Sequence, residues 1–403
     1  MTTDRTGVRY GIDMLLAGMV SQIQGKRVGL VTNDAAATSA TYTHMLTPTR
    51  LALQDAGVNL VSLFSPEHGL GAAAADGAEV GPGFDPLTGL PVHSLSGASL
   101  RPSAEQLAGL DILLFDIPDV GARFYTYIWT LSHVMEACAE AGLPLWILDR
   151  PNPLGGYLAD AEGPMLDEAH ISTFVGRWDI PIRHCLTAGE LARLWHKEKH
   201  LSLELMVVKM AGWSRKLHWP GTANPFVPMS PAMPSYEAAL VYPGTCFFEG
   251  TNVSEGRGTA NPFQQVGAPW MDCLAVADGF NGQAVPGIVA RPVEFKPSSS
   301  KYAGELCYGV MLHGVEPERA RPVQAGLLLL AEIIDLHRNE FAWLPYPSAD
   351  NAPGYGHFDR LVGQLHIREA LSAQLDNLRS QIVGWTATGD WPRRVGEILL
   401  YYS

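Results

Sequence analysis

No uninterrupted apolar run in this 403-residue chain approaches the roughly 18 residues needed to cross a bilayer. The N-terminus, MTTDRTGVRYGIDMLL, lacks the basic segment, apolar core and small-residue cleavage site of an export signal. The expectation is a cytoplasmic protein with no membrane partner. Cysteine is scarce. Five residues, at 138, 185, 246, 273 and 307, contain no CxxC pair, which argues for reduced thiols rather than a disulfide framework. Positive charge is short as well: Lys and Arg number 28 against 41 Asp and Glu, a net charge of −13. Such a surface repels a phosphate backbone, so nucleic acid is not an expected partner. An anionic small molecule is still allowed, because a few inward-facing arginines reverse the potential locally.

Missing motifs narrow the chemistry further. No G-x-G-x-x-G follows a strand and opens a helix, and GPG at 81–83 contains a proline, so no dinucleotide cofactor is expected. There is no GxxxxGK[ST], no GxSxG elbow and no HExxH. The histidines are too scattered for a zinc site. Glu67, His68 and Asp119 are a set that could meet around a metal in space, but the reading adopted here calls for no metal and no cofactor.

What is present is a rhythm. RVGLVTN (27–33), VNLVSLFS (58–65), DILLFDIPD (111–119) and LPLWILDRP (143–151) read as buried strands. Between and after them lie helical patterns. TYIWTLSHVMEACAEAGL (126–143) keeps Ile128, Leu131, Met135 and Cys138 on one face, and TAGELARLWHKEKHL (187–201) opens with Thr187 and Glu190 at capping-box spacing. The fold class expected is α/β: a Rossmann-like, mostly parallel sheet with helices on both faces, plus a smaller α+β C-terminal domain. The first domain is placed over residues 1–270 and the second over 285–403. Residues 212–270 are crowded with Pro, Gly, Asn and Ser yet carry Trp219, Phe226, Tyr236, Tyr242, Phe247, Phe248 and Trp270. That many aromatics suit the ordered wall of a site better than a solvated linker.

Ligands of open parallel sheets sit beyond the carboxyl ends of the strands. Here those ends carry polar cargo: Thr32 and Asn33; Ser65, Glu67 and His68; Asp116 and Asp119, followed by Arg123, Tyr125 and Tyr127; then Asp149, Arg150 and Asn152. Each has a plainer explanation too, since a carboxylate after a strand often caps a helix and Asp149 with Arg150 could form an internal ion pair. A second concentration, EGTNVSEGRGT (249–259), contributes Glu249, Asn252, Glu255 and Arg257. Its glycines let backbone approach a ligand, or the segment is a rigid loop stapled by its own Glu–Arg pair.

Taken together, LFSPEHGL, LLFDIPDVGARFYTYIWTL, DRPNPLGG, FVGRWDIPIRHCLTAGELA and VYPGTCFFEGTNVSEGRGTANPFQQVGAPW resemble one family, the bacterial exo-β-N-acetylmuramidases long catalogued as a domain of unknown function. The matching stretches run from about residue 11 to 313. The resemblance implies a cleft between two domains and release of N-acetylmuramic acid from the non-reducing end of peptidoglycan fragments. It places the family's most discussed catalytic candidate on Glu67, a general acid in such a reaction; the second carboxyl group that glycoside hydrolysis usually needs could be Asp116, Asp119, Glu249 or Glu255. The substrate-binding candidates are Asn33, His68, Asp116, Arg123, Tyr125, Asp149, Arg150, Asn252 and Arg257, with Arg123 or Arg257 suited to the sugar's lactyl carboxylate. Departures from the family pattern fall at GAAAADGAEV (71–80), at His93, and at Ala232 and Ser235 of SPAMPS. A saccharide-binding protein of two lobes without chemistry, or a nucleotide-using enzyme on the same sheet, are the other classes this sequence allows.

Overall fold

The four apolar runs become neighbours in one sheet. The computed structural model describes residues 7–74, 81, 83–97, 99–345, 356–373 and 377–402. Its first strands are β1 (Val28–Thr32), β2 (Leu60–Ser65), β3 (Gly83–Phe84), β4 (Pro91–Ser94), β5 (Ile112–Asp116) and β6 (Leu145–Leu148). β1, β5 and β6 are buried at every position, the condition that makes a strand read as a continuous apolar run instead of an alternating one. β7 (Glu162–Met165) and β8 (Pro181–Arg183) form a separate ribbon, and β9 (Leu205–Val208) rejoins the main sheet. The order is β3-β4-β2-β1-β5-β6-β9, parallel except for β3.

Register is unbroken from Val28 opposite Ile112 to Thr32 opposite Asp116. The chain goes to one side of β1 for β2 and to the other for β5, so strand order reverses there. Open α/β sheets bind ligands at such a reversal. The helix expected over 126–143 is Tyr127–Ala141, stopped by Gly142 in the left-handed region. The one expected over 187–201 is Ala188–Glu198, with the Thr187–Glu190 capping box in place.

The smaller unit is built on an antiparallel sheet of β10 (Gln265–Ala268), β11 (Ile288–Phe295) and β12 (Cys307–Gly314), in the order β10-β12-β11. β10 lies inside the 1–270 segment assigned above to the first domain, yet it pairs with β12. Four residues of glycine-containing sequence carry too little pattern to announce their sheet. The helix Cys273–Gly282 packs on this sheet, and the helix Pro322–Leu336 packs on that helix.

The aromatic stretch 212–270 is ordered, with Trp219, Tyr236, Tyr242, Phe247 and Phe248 buried. Its helix Tyr236–Thr245 crosses Pro322–Leu336 at a glycine contact. A β-carbon on Gly244 would sit 2.0 Å from the Pro322 carbonyl oxygen, and one on Gly326 would sit 2.3 Å from that of Gly244. Only two glycines allow this approach. The crossing aims the chain into the 3₁₀ turn Cys246–Gly250, which carries Glu249.

Candidate active site

Glu67 stands two residues beyond the end of β2. Its Oε2 accepts a hydrogen bond from Thr126 Oγ1 at 2.7 Å, which ties the carboxylate to the residue capping the helix Tyr127–Ala141. His68 donates from Nδ1 to the Ala74 carbonyl at 2.8 Å and holds a left-handed backbone, φ 68°. Phe263 does the same at φ 61°. Side chains with a β-carbon rarely occupy that region, at a cost of about 1–3 kcal/mol each, and such strain gathers where a chain must present groups to a ligand.

The second carboxylate comes from the other half of the chain. Glu249 Oε1 accepts from Arg257 Nη2 at 2.6 Å and Nε at 3.2 Å, while its Oε2 lies 3.4 Å from His357 Nε2. Burial alone would raise the Glu249 carboxyl, but Arg257 and His357 outweigh it and hold it down at about 2. Glu249 is a fixed anion. Arg257 also lies 3.4 Å from Glu255, whose other oxygen is 2.8 Å from Lys301 Nζ. The 249–259 loop is therefore stapled by its own Glu–Arg pair and faces the cavity as well.

His357 arrives on the short helix His357–Val362. It comes this close because Gly250 has no side chain: a β-carbon there would lie 2.6 Å from the Phe358 amide nitrogen.

These parts surround one cavity of about 150 Å³, lined by Glu67, His68, Glu249, Arg257, His357 and Arg360 among its polar groups. Tyr125, Tyr242 and Phe263 supply apolar wall. Tyr125 packs edge-on to Tyr127 and Tyr242, with ring centroids 4.8 and 5.9 Å away, and Tyr242 packs against Phe263 at 4.7 Å. A wider groove of about 1060 Å³ adjoins it, sharing Ala232, Glu249 and Arg257 and extending past Glu255 and Lys301. A small chamber opening on a wide groove suits a ligand with one unit inside and the remainder outside.

Of the residues singled out in the sequence, Glu67, His68, Tyr125, Glu249 and Arg257 line the chamber and Glu255 lines the groove. The others are placed differently, and each for a stated reason. Asp116 is sealed by Arg150, through Nη2 at 2.9 Å, and by the Thr49 hydroxyl; Arg150 also donates to the Ala37 carbonyl. Asp149 is buried among Thr187 Oγ1, the Gly189 amide and the Tyr401 hydroxyl, and burial pushes its carboxyl up to about 6. Asn33 closes the turn after β1 by accepting from the Ala35 amide. Asp119, proposed as a catalytic partner, turns into its own loop and accepts from the Gly121 amide at 2.7 Å. Asn252 pins residues 340–342 through the Glu340 carbonyl and the Ala342 amide.

Arg123 is corrected most sharply. It is fully buried and donates to the carbonyls of Pro164, Ile180, Leu361 and Val362, so it cannot meet a sugar carboxylate. Two of those carbonyls end the helix His357–Val362, and the guanidinium caps that helix from within.

Sequence reasoning missed Thr126, Tyr242, Phe263, His357 and Arg360 as site residues. GHFDRLVG (356–363), with His, Asp and Arg between two glycines, was the available signal for the last two. Among the departures, His93 packs against Phe64 and is not among the residues lining the chamber, Ser235 caps the helix Tyr236–Thr245, and Ala232 lines the chamber wall. Residues 75–80 of the 71–80 run lie outside the described residues. Among the described residues, no three metal-ligating side chains gather to hold an ion, and no helix is long and apolar enough to cross a membrane.

Comparison with known proteins agrees with this layout. The family description "Exo-beta-N-acetylmuramidase NamZ, N-terminal" matches residues 28–237, and its C-terminal counterpart matches residues 240–401. The chain is 42% identical over 355 residues to the peptidoglycan β-N-acetylmuramidase NamZ of Bacillus subtilis (strain 168), covering 88% of this chain and 84% of that protein. Two DUF1343 family crystal structures from Bacteroides fragilis NCTC 9343 share the fold. One has TM-score 0.83 and 32% identity over 98% of this chain and all of the other; the second has TM-score 0.74 and 27% identity over 98% and 99%. With both halves matched and the fold shared along its length, the chain belongs to the exo-β-N-acetylmuramidase family.

Proposed function

We propose that this chain hydrolyses the glycosidic bond of a terminal N-acetylmuramic acid, releasing that sugar from the non-reducing end of peptidoglycan fragments. The observation that carries the reading is the convergence of Glu67 and Glu249, from separate halves of the chain, on one small chamber beside a wide groove. The terminal sugar occupies the chamber and the rest of the fragment lies in the groove.

Glu67 is the general acid that delivers a proton to the departing oxygen. Thr126 fixes the orientation of its carboxyl group. Glu249 plays the complementary part. Its oxygens are engaged by Arg257 and His357, which makes it a poor nucleophile but a permanent negative charge. It stabilises the positive charge that develops at the anomeric carbon. Attack there comes from water or from the sugar's own acetamido oxygen, and water supplies the hydroxyl of the released sugar. Tyr125 and Tyr242 offer apolar faces to the ring and exclude bulk water.

The test is a product analysis. The protein is incubated with fragments that end in muramic acid and with fragments that end in N-acetylglucosamine. Free N-acetylmuramic acid, released one unit at a time from the first set only, is the expected result. Internal cleavage products, or binding of the first set with no release, would overturn the reading, the latter in favour of a saccharide-binding protein.

A further inference from the structure

With one sugar in the chamber and the remainder in the groove, the bond that breaks crosses wherever the two spaces meet. Among the described residues, Ala232, Glu249 and Arg257 line both. We propose that these three form the threshold crossed by the scissile bond, and that the Ala232 methyl group sets its width and so admits a second sugar on the anomeric oxygen. The inference rests on the hydrolase reading and deepens it.

The charged part of the threshold is braced. Arg257 lies 2.6 Å from Glu249 and 3.4 Å from Glu255, and its guanidinium sits 4.8 Å from the centre of the Phe263 ring. Glu255 is held in turn by Lys301 at 2.8 Å, and Lys301 donates to the carbonyls of Phe248 and Val253. A side chain in such a lattice has little room to swing aside.

The part that carries Ala232 is braced as well. Its turn is closed by the Met233 amide donating to the Ser230 carbonyl at 3.0 Å, and Pro231 narrows the backbone choices within it. Met229 and Met233 are buried on either side of the turn. The Tyr127 hydroxyl donates to the Met229 carbonyl at 2.9 Å, and Ser235 caps the helix that follows. Ser230 and Met233 line the chamber alone and Pro231 lines the groove alone, so within this turn Ala232 is the boundary residue. With both parts fixed, volume added at residue 232 is not absorbed by retreat. It is taken from the passage.

The experiment measures binding to the full chain by titration calorimetry, with two probes that need no turnover. One is free N-acetylmuramic acid, which ends at its anomeric hydroxyl and stays within the chamber. The other is the sulfur-linked analogue of the muramic acid–N-acetylglucosamine disaccharide, which crosses the threshold and resists hydrolysis. In Ala232→Leu the disaccharide analogue is expected to weaken by about 100-fold, and in Ala232→Val by about tenfold. The single sugar should stay within about threefold of wild type in both. Unchanged binding of the analogue in Ala232→Leu overturns the proposal. So does an equal weakening of both probes, the mark of a merely structural role. Should the leucine variant fail to fold, the same two outcomes in Ala232→Val decide it. Failure of the hydrolase reading shows elsewhere, as absence of released sugar from the natural disaccharide with this binding pattern intact.

Discussion

β2 and β5 run parallel with only β1 between them, and each leads to a carboxylate at the same edge of the sheet. On β5 it is Asp116, met from inside the fold by Arg150 and Thr49 and cut off from solvent. Beyond β2 it is Glu67, met by the Thr126 hydroxyl and facing the chamber. The two differ in what the rest of the chain supplies. Where the fold brings a guanidinium to the strand end, the acid becomes part of the frame. Where it brings aromatic rings and a distant glycine-rich loop, the acid forms part of a chamber wall.

The sharpest break of this comparison is in stability. Asp116→Ala strands Arg150 in the interior and is expected to cost about 3–5 kcal/mol in urea unfolding, with little change in kcat for the molecules that remain folded. Glu249→Gln does the reverse. It removes a charge aimed at the chamber, and kcat is expected to fall about 100-fold in steady-state assays of the folded variant. If Asp116→Ala abolished turnover in a fully folded protein, the division between frame and site would fail.

Smaller effects refine the comparison. Gly244→Ala forces a methyl group against the Pro322 carbonyl and should destabilise by about 1–3 kcal/mol, with loss of activity because the turn bearing Glu249 is displaced. Acid titration reports on the Glu249 cluster itself. Its carboxyl titrates near 2 in the fold against an ordinary value of 4.5, so the stability it contributes is complete above about 4.5 and is lost as the pH falls toward 2. A fluorescence-monitored stability profile of wild type should fall across that window more steeply than that of Glu249→Gln. Ser235→Ala, which removes the side-chain cap accepting from the Ala238 amide, should cost only about 1 kcal/mol by thermal unfolding.

The sheet was legible because burial on both faces leaves a simple trace: Val28–Thr32 and Ile112–Asp116 are apolar at nearly every step. The capping box of Thr187 and Glu190 was legible because it is local. Counter-ions are not local. Nothing in DVGARFYTY says that Arg123 reaches 238 and 239 residues ahead to cap a helix, nor does LLFDIPD say that Asp116 is already matched by Arg150. Glu67, Glu249 and Arg257 were found because polar groups at a strand end and in a glycine-rich loop carry their own signal. His357 and Arg360 were missed because their role depends on Gly250 admitting a helix from more than 100 residues away in sequence, a packing fact with no motif of its own.

In the proposed reaction Glu67 hands a proton to the leaving group inside the chamber. Leaving-group dependence tests it most directly. For Glu67→Gln, kcat/KM on a muramic acid–N-acetylglucosamine disaccharide is expected to fall by about 10²–10⁴, because that alcohol departs poorly without a proton. On a dinitrophenyl glycoside of the same sugar, which departs without help, the fall should be less than about tenfold. An equal loss on both substrates, or none on the disaccharide, would contradict it.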